Sequence, residues 1–589
     1  MQKNKVKPGI VIDYMKNGED WEVGQVISLA GKVGKQQKGK YGNLWNVKNL
    51  ITGKTEQFEM RKNGKDWKIH EVADDEPNFG MIDTHEVLMV SEEMKNLKLD
   101  RVKSAKIAEI EKWKEENVYE EVPDEGQERM STTWVITEKV RNEEVVTKAR
   151  LVARGYEENK ENIRSDSPTC MKNTVRMMLG IAAGKEWTIR SLDVKAAFLQ
   201  GKSIDRDLYL SPPAEFRDKG KLWRLKKVVY GLCDASRSWY MKVVEVLTDL
   251  SMTVGKLEQA MFMFKTKSLE GVIIVHVDDM LYAGTKLFQD TVMAAFKRTL
   301  KVSRDDSVAF KYLGVRLTQG NNGIELCQTD YVRGMKQDLL PSEAMKNKDR
   351  FAEEEEISIF RQGVGQLGWV SSVSKPEASF GYCSLSVIQA KPQVRDFALY
   401  KKIVKELQSR EWKIMIGAVD LDNVRITAFC DASFANLTDG ASQIGYIVFM
   451  NDDQGNCAPL TWVSKKAKRV TRSTLAAETL GAAEAADHAI FMKKILEETL
   501  DANLPPVTLL VDNKSLYDSV RNTSLLSEKR LLVEMASLRE MQEKRQIVVE
   551  WVSTHQQLAD GLTKAGANRQ KLIDVLCQGK IDLDKIRSG

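Results

Sequence analysis

The spacing of apolar residues changes several times along the chain, and each change marks a different kind of element. From residue 9 to 60, short β-rich runs (GIVIDYM, WEVGQVISLAG, KYGNLWNVKNL, TEQFEM) alternate with turn glycines, which predicts a small β-barrel with the lysine-rich GKVGKQQKGK projecting from it as a loop. Residues 71–100 lose that periodicity and are rich in Asp, Glu and Asn, the composition of an exposed linker. The spacing of Ile107, Ile110 and Trp113 then predicts an amphipathic helix from Leu99 to Asn117. Strand patterns at WVITEKV (134–140) and TKARLVARGY (147–156) lead into helical MKNTVRMMLGIAAG, and strands alternate with helices to about residue 320. Residues 328–412 read as mainly helical, and a second α/β block runs from Asn423 to about 566. The expectation is an α+β multidomain chain divided at 1–70, 71–100, 101–325, 326–420, 421–566 and a C-terminal tail, 567–589.

Charge adds a polarity to this division. Residues 1–70 carry 14 Lys and Arg against 7 Asp and Glu, residues 71–130 carry 8 against 18, and the remainder 67 against 59. A basic head, an acidic connector and a mildly basic body suit a chain that binds a polyanion. At 589 residues there is length for about three to five domains. No apolar run reaches the roughly 18 residues of a membrane span, and MQKNKVKPG does not read as a signal peptide, so no membrane is expected. The 7 cysteines are scattered without CxxC pairs and the 5 histidines form no ligand cluster, which argues for reduced thiols in an intracellular compartment and against a zinc site.

The stretch IIVHVDDMLYA (273–283) sets Asp278 and Asp279 within an apolar, β-branched run that reads as a buried strand pair. Two adjacent buried carboxylates require a positive partner. Asp193, 85 residues earlier in SLDVKAAFLQG, again ends an apolar strand, so three acids on neighbouring strands can converge on divalent cations, as nucleotidyl transfer requires. Oxygen ligands of this kind suit Mg²⁺. A second set follows: Asp431 in RITAFCDASFA, Glu478 in STLAAETLGAAEAA, Asp512 in LLVDNKSLYDSV and Asp560 in VVEWVSTHQQLADGLTKA occupy strand ends and helix starts. Four such carboxylates around two Mg²⁺ ions form the charge pattern of a nuclease. Glu484 lies six residues beyond Glu478 and so points elsewhere on a helix.

KARLVARG (148–155), LDVKAAFLQG (192–201), VVYGLCDASRSWY (228–240), VHVDDML (275–281) and KYLGVRL (311–317) together resemble the reverse transcriptase of Ty1/copia-type LTR retrotransposons, and the block from residue 423 resembles their RNase H domain. The resemblance implies a right-hand polymerase of fingers, palm (101–325) and thumb or connection (326–420), then an RNase H-like α/β domain. The N-terminal module resembles the SH3-like region that follows the integrase core. By the resemblance, Asp193, Asp278 and Asp279 are catalytic and bind two metal ions, as do Asp431, Glu478, Asp512 and Asp560, with His555 assisting product release or proton transfer; Mg²⁺ is expected, with Mn²⁺ as a substitute. Lys148, Arg150 and Arg154 match the strand that grips the triphosphate, and strand alternation argues against all three facing the site. Phe198 matches the aromatic that rejects a ribose 2′-OH, and Tyr230, Gly231 and Arg237 match the template and nucleotide pocket. His276 stands where the family usually has Tyr, beside the primer terminus, and Ser236 replaces the usual Pro. Implied partners are an RNA template, a DNA primer, RNA/DNA hybrid and dNTPs, together with a second copy of the chain and the element's capsid and integrase proteins. The implied location is a cytoplasmic virus-like particle with access to the nucleus. The contrasting reading is a domesticated, non-catalytic nucleic-acid-binding derivative; loss of a metal-binding acid would favour it, and all seven are present.

Overall fold

The computed structural model describes residues 11–16, 20–32, 43–49, 55–60, 67–69 and 92–588, apart from 142–143, 160, 162, 438 and 523–530. The chain forms two compact units, Met1–Val87 and Leu88–Gly589. The first holds an antiparallel sheet ordered Thr55–Met60, Asn43–Asn49, Asp20–Lys32, Val11–Lys16, Trp67–Ile69. Register shifts at Val26/Ser28 and Leu29/Gly31 interrupt the long second strand, as β-bulges do. This five-stranded antiparallel sheet stands where the small β-barrel is expected. Positions 33–42 of the lysine-rich loop and positions 70–91 of the acidic linker lie outside the described residues.

The second unit begins with the helix Glu92–Glu115, which starts inside the segment expected to be linker. Ile110 and Trp113 are buried as the periodicity predicts, whereas Ile107 is exposed, and the buried stripe is completed by Glu109. Tyr119–Pro123, Lys221–Leu225, Tyr209–Leu210 and Arg129–Met130 form a small sheet, beside the hairpin Thr132–Arg141/Glu144–Ala153. The central sheet has six strands in the order Thr253–Val254, Met261–Lys265, Leu269–His276, Asp279–Gly284, Arg190–Val194, Val302–Ser307. Five of the eight residues of Leu269–His276 are consecutive and buried, because helices cover one face and the rest of the unit covers the other. Gly271 and Gly284 are register partners, and a Cβ on either would lie 2.3 Å from the Phe288 ring, so this pair is where the next helix can sit directly on the strands.

A second sheet, Ala309–Tyr312, Val315–Gly320, Gly323–Cys327 and Ile414–Gly417, is closed by a strand from beyond the helical region. Between its last two strands the chain forms helices Glu354–Val373, Ser379–Ile388 and Val394–Ser409 around their own core of Phe360, Leu367, Phe397 and Tyr400. The last sheet is ordered Cys457–Lys466, Gln443–Asn451, Arg425–Ser433, Val507–Val511, Ile547–Trp551; the first three strands are antiparallel and the last two run parallel to the third. The helix Thr474–Leu500 packs across it. This mixed α/β order fits the α+β multidomain chain expected from the sequence.

The supposed tail forms the helices Gln570–Gln578 and Leu583–Ser588, with Leu572, Leu576, Ile581 and Ile586 buried in the main core. The helical region between 326 and 420 keeps its own core, but the blocks on either side of it share one. One apolar cluster joins Met261, Val272, Ile274 and Leu281 of the central sheet to Ile416 and to Ile447, Phe449 and Leu509 of the last. The helix Lys172–Gly184 lies at this junction, and its Arg176 is 4% exposed. The guanidinium donates to the carbonyls of Leu460 (3.0 Å), Ser372 (2.7 Å) and Val373 (3.0 Å) and lies 3.9 Å over the Trp462 ring. All seven cysteines are free, and no described helix is long and apolar enough to cross a membrane.

Candidate active sites

The first site is built on a tight hairpin. His276 and Asp279 are register partners, so the strands turn through Val277 and Asp278 alone. Val277 has φ +57°, a conformation that costs a β-branched residue about 1–3 kcal/mol and persists only when its surroundings hold it. Trp239, 1% exposed, supplies part of that hold: its Nε1 donates to the Val277 carbonyl at 2.6 Å. Asp279 pairs with Asp193 on the adjacent strand, and Val194 N donates to the Asp278 carbonyl at 3.4 Å. The acids therefore share one end of the sheet. Ser303, on the strand beyond, donates its hydroxyl to Asp193. Burial pushes the Asp278 carboxyl above its ordinary value and the Asp193 charge adds to this, while Arg150 opposes it. Burial lowers His276, which favours the neutral ring; Asp278 opposes the shift.

The hairpin Thr132–Arg141/Glu144–Ala153 brings its cations alongside. In Glu144–Ala153 the buried positions are Ala149, Leu151 and Ala153, so Lys148 and Arg150 lie together on the opposite face. Alternation therefore does not part Lys148 from Arg150, since residues two apart share a side, and Arg154 falls outside the strand altogether. Arg150 lies 5.7 Å over the ring of Tyr230, which meets Phe198 edge-on at 5.1 Å between centroids. Burial pushes the Tyr230 hydroxyl up to about 12, so it stays protonated. Gly231 has φ +95°, and a Cβ there would lie 2.0 Å from the Ala153 carbonyl, so glycine lets this loop dock on the fingers strand. Arg237 is turned away to Asp166, donating to its carbonyl (3.0 Å) and carboxylate (2.7 Å).

The second site is more compact. One carboxylate oxygen each from Asp431, Glu478 and Asp512 lies within 4.8 Å of the others, a spacing that Asp193, Asp278 and Asp279 do not reach. Asp431 comes from the strand Arg425–Ser433, Glu478 from the first turns of Thr474–Leu500, and Asp512 follows Val507–Val511. Asp431 is 1% exposed and Glu478 5%. Burial, then the charges of Asp431 and Asp512, push Glu478 up to about 9; burial pushes Asp431 up to about 6 against the pull of Lys564 and Thr563. Burial also raises Asp512, opposed by a hydrogen bond from Thr554. Buried, mutually repelling oxygen donors fit a divalent cation.

Asp560 stands apart from the trio. It pairs with Lys564, whose Nζ also lies 3.4 Å from Asp431 Oδ2. Burial pulls the Lys564 ammonium down, yet Asp431, Asp560 and Asp512 carry it up to about 12. His555 is exposed on the short turn Thr554–Gln556, and Glu484 pairs with Lys465, away from the trio. Sequence reasoning missed Thr554, Thr563 and Lys564. The last two sit in the quoted LADGLTKA run, where a Lys four residues after an acid on a short helical turn is a readable signal.

The cluster gives a pH dependence in chelator. Folded Asp431 and Glu478 hold protons to about 6 and about 9, above the ordinary 3.8 and 4.5 of the unfolded chain. The folded state thus binds more protons in that window, and stability falls as pH rises. Melting temperature in EDTA should decline from about pH 5 to about pH 9 and level out with Mg²⁺ or in Glu478→Gln. A decline of the same steepness in Glu478→Gln would contradict the assignment.

An aspartate-bearing hairpin on a central sheet is thus followed, in one compact unit, by an acid trio on a mixed five-stranded sheet. Residues 116–346 match the family of reverse transcriptases (RNA-dependent DNA polymerases). Over most of its length the chain is similar to the retrovirus-related Pol polyproteins of plant transposons. It is 27% identical over 454 residues to the retrovirus-related Pol polyprotein from transposon RE1 of Arabidopsis thaliana, covering 73% of this chain and 30% of that protein. It is 28% identical over 457 residues to the RE2 counterpart from the same plant, with the same coverage. The chain therefore spans about 30% of the length of these relatives. Among solved structures it is similar to the foamy viral protease-reverse transcriptase dRH in complex with ds DNA, at TM-score 0.47 and 12% identity, covering 93% of this chain and 99% of that one.

Proposed function

We propose that the chain is an RNA- and DNA-templated DNA polymerase that also cleaves the RNA strand of RNA/DNA hybrids, copying an LTR retrotransposon. The observation that carries this reading is the presence, in one compact unit, of the Asp278–Asp279 hairpin paired to Asp193 and of the buried Asp431, Glu478, Asp512 trio. At the first site Asp193, Asp278 and Asp279 would hold Mg²⁺. Arg150 and Lys148 share the strand face that would meet a triphosphate, and the Phe198–Tyr230 pair forms a wall where a sugar would rest. At the second site Asp431, Glu478 and Asp512 would hold the ions, with Asp560 beside them. When bound, the ions supply a lowered pKa for the attacking oxygen and charge compensation at the leaving oxygen. Template, primer and hybrid would run along the sheet end that carries the hairpin, gripped chiefly through their backbones.

The test is primer extension on an RNA template with dNTPs and Mg²⁺, beside cleavage of a labelled hybrid. The wild type should do both. Asp431→Asn should lose cleavage by at least about a hundredfold and keep extension, since it removes a direct ligand of one site only. If the wild type does neither, the chain is a binding protein; if Asp431→Asn also loses extension, the assignment of one reaction to each site fails.

A further inference from the structure

Lys564 lies among the acids of the second site with no role in the reading above. Its ammonium pairs with Asp560 and stands 3.4 Å from Asp431, so one cation bridges the trio and the acid left outside it. Asp431 is 1% exposed and also receives the Thr563 hydroxyl, from the residue next to the lysine. The backbone fixes this arrangement: Asp560–Leu562 form a 3₁₀ turn, and Thr563 N donates to the Asp560 carbonyl at 3.2 Å, which folds the following lysine back over the acid. Arg569 braces the same loop through the carbonyls of Gly561 (3.2 Å) and Lys564 (3.1 Å). A lysine merely solvated at a surface would need none of this support.

We propose that Lys564 is a built-in counter-ion of the nuclease site, a positioning residue that holds Asp560 and Asp431 in the metal-free protein and competes with the divalent cation for them. This rests on the reading of the trio as a cation site. Its ammonium cannot share Asp431 with an incoming divalent ion without repulsion, so loading requires the lysine to give way. That keeps the acids assembled without metal, yet makes ion binding weaker than four carboxylates alone would give.

The measurement is Mn²⁺ binding by the full chain, followed by the electron paramagnetic resonance signal of free Mn²⁺ in an Asp278→Asn background that weakens the other site. Lys564→Gln should bind Mn²⁺ at least about tenfold more tightly, while Lys564→Arg stays near the parent. In EDTA, Lys564→Gln should melt below the parent and recover when Mn²⁺ is added. A lysine with a merely structural role gives the opposite sign, weaker binding on its removal. Unchanged or weaker binding in Lys564→Gln, or a variant that does not fold even with Mn²⁺, overturns the proposal. Glu478→Gln keeps the two readings apart: if it leaves Mn²⁺ binding untouched, the trio is not a cation site. If it lowers binding while Lys564→Gln does not raise it, only the counter-ion role fails.

Discussion

Asp278→Asn should abolish primer extension by at least about a hundredfold while leaving hybrid cleavage within about twofold, because losing a direct metal ligand costs more than the 10–100-fold typical of groups one step removed. The turn tolerates the change, since asparagine suits a tight two-residue loop as well as aspartate does. The substitution should also leave the metal-free fold at least as stable as the wild type. Asp278 is a half-buried carboxylate whose charged form is disfavoured by burial and by Asp193, and the amide removes that repulsion. Loss of extension with an unchanged or higher melting temperature in EDTA identifies a functional acid at a structural cost. A parallel drop in both would instead mean that Asp278 holds the hairpin together.

Arg176→Met is the substitution expected to destabilise most. The guanidinium is buried and answers to three carbonyls rather than to a carboxylate, and burial lowers it to about 9, which still leaves it charged at neutral pH. Removing it takes the donor from the carbonyls of Leu460 and Val373, both buried bonds, and from the part-buried one to Ser372. An unsatisfied buried acceptor costs about 1–3 kcal/mol, part of which is offset by no longer burying a charge, so a net loss of about 3–5 kcal/mol is expected. Arg176→Lys keeps the charge but not the fork and should fall between. The check is the shift of the urea midpoint, read by probes on both halves of the unit. A change under about 0.5 kcal/mol, the usual size for an inert surface site, would mean the contacts are incidental. The same variant tests the coupling of the two sites: hybrid cut positions measured from a bound primer end should spread in Arg176→Met.

The acids were legible in the sequence because each ends a local pattern. A β-branched run that stops at aspartate can be recognised without knowing its neighbours, as at Val275–Asp279 and Leu509–Asp512. The groups that hold those acids were not, because register decides them. Ser303 reaches Asp193 only through the pairing of Val302–Ser307 with Arg190–Val194, and Trp239 meets Val277 from a helix 38 residues away. Arg237 carried a motif match, yet a loop aspartate at 166 claims it. The terminal helices show the reverse error: Leu572, Ile573 and Leu576 have helical spacing, and reading them as a tail overlooked a usable signal. The core shared by the blocks on either side of the helical region was not legible for a different reason. Changes in local pattern mark where elements differ, and say nothing about whether their apolar faces share one core.

That shared core has a consequence for synthesis. As the chain leaves the ribosome, the central sheet is complete once Val302–Ser307 has emerged, but the apolar cluster that it joins also includes Ile416, Phe449 and Ile586. At roughly 5–20 residues per second the wait is on the order of tens of seconds. During it, the cluster that holds Met261, Val272, Ile274 and Leu281 is incomplete, so the nascent first part of the unit is a client for chaperones that shelter apolar surface.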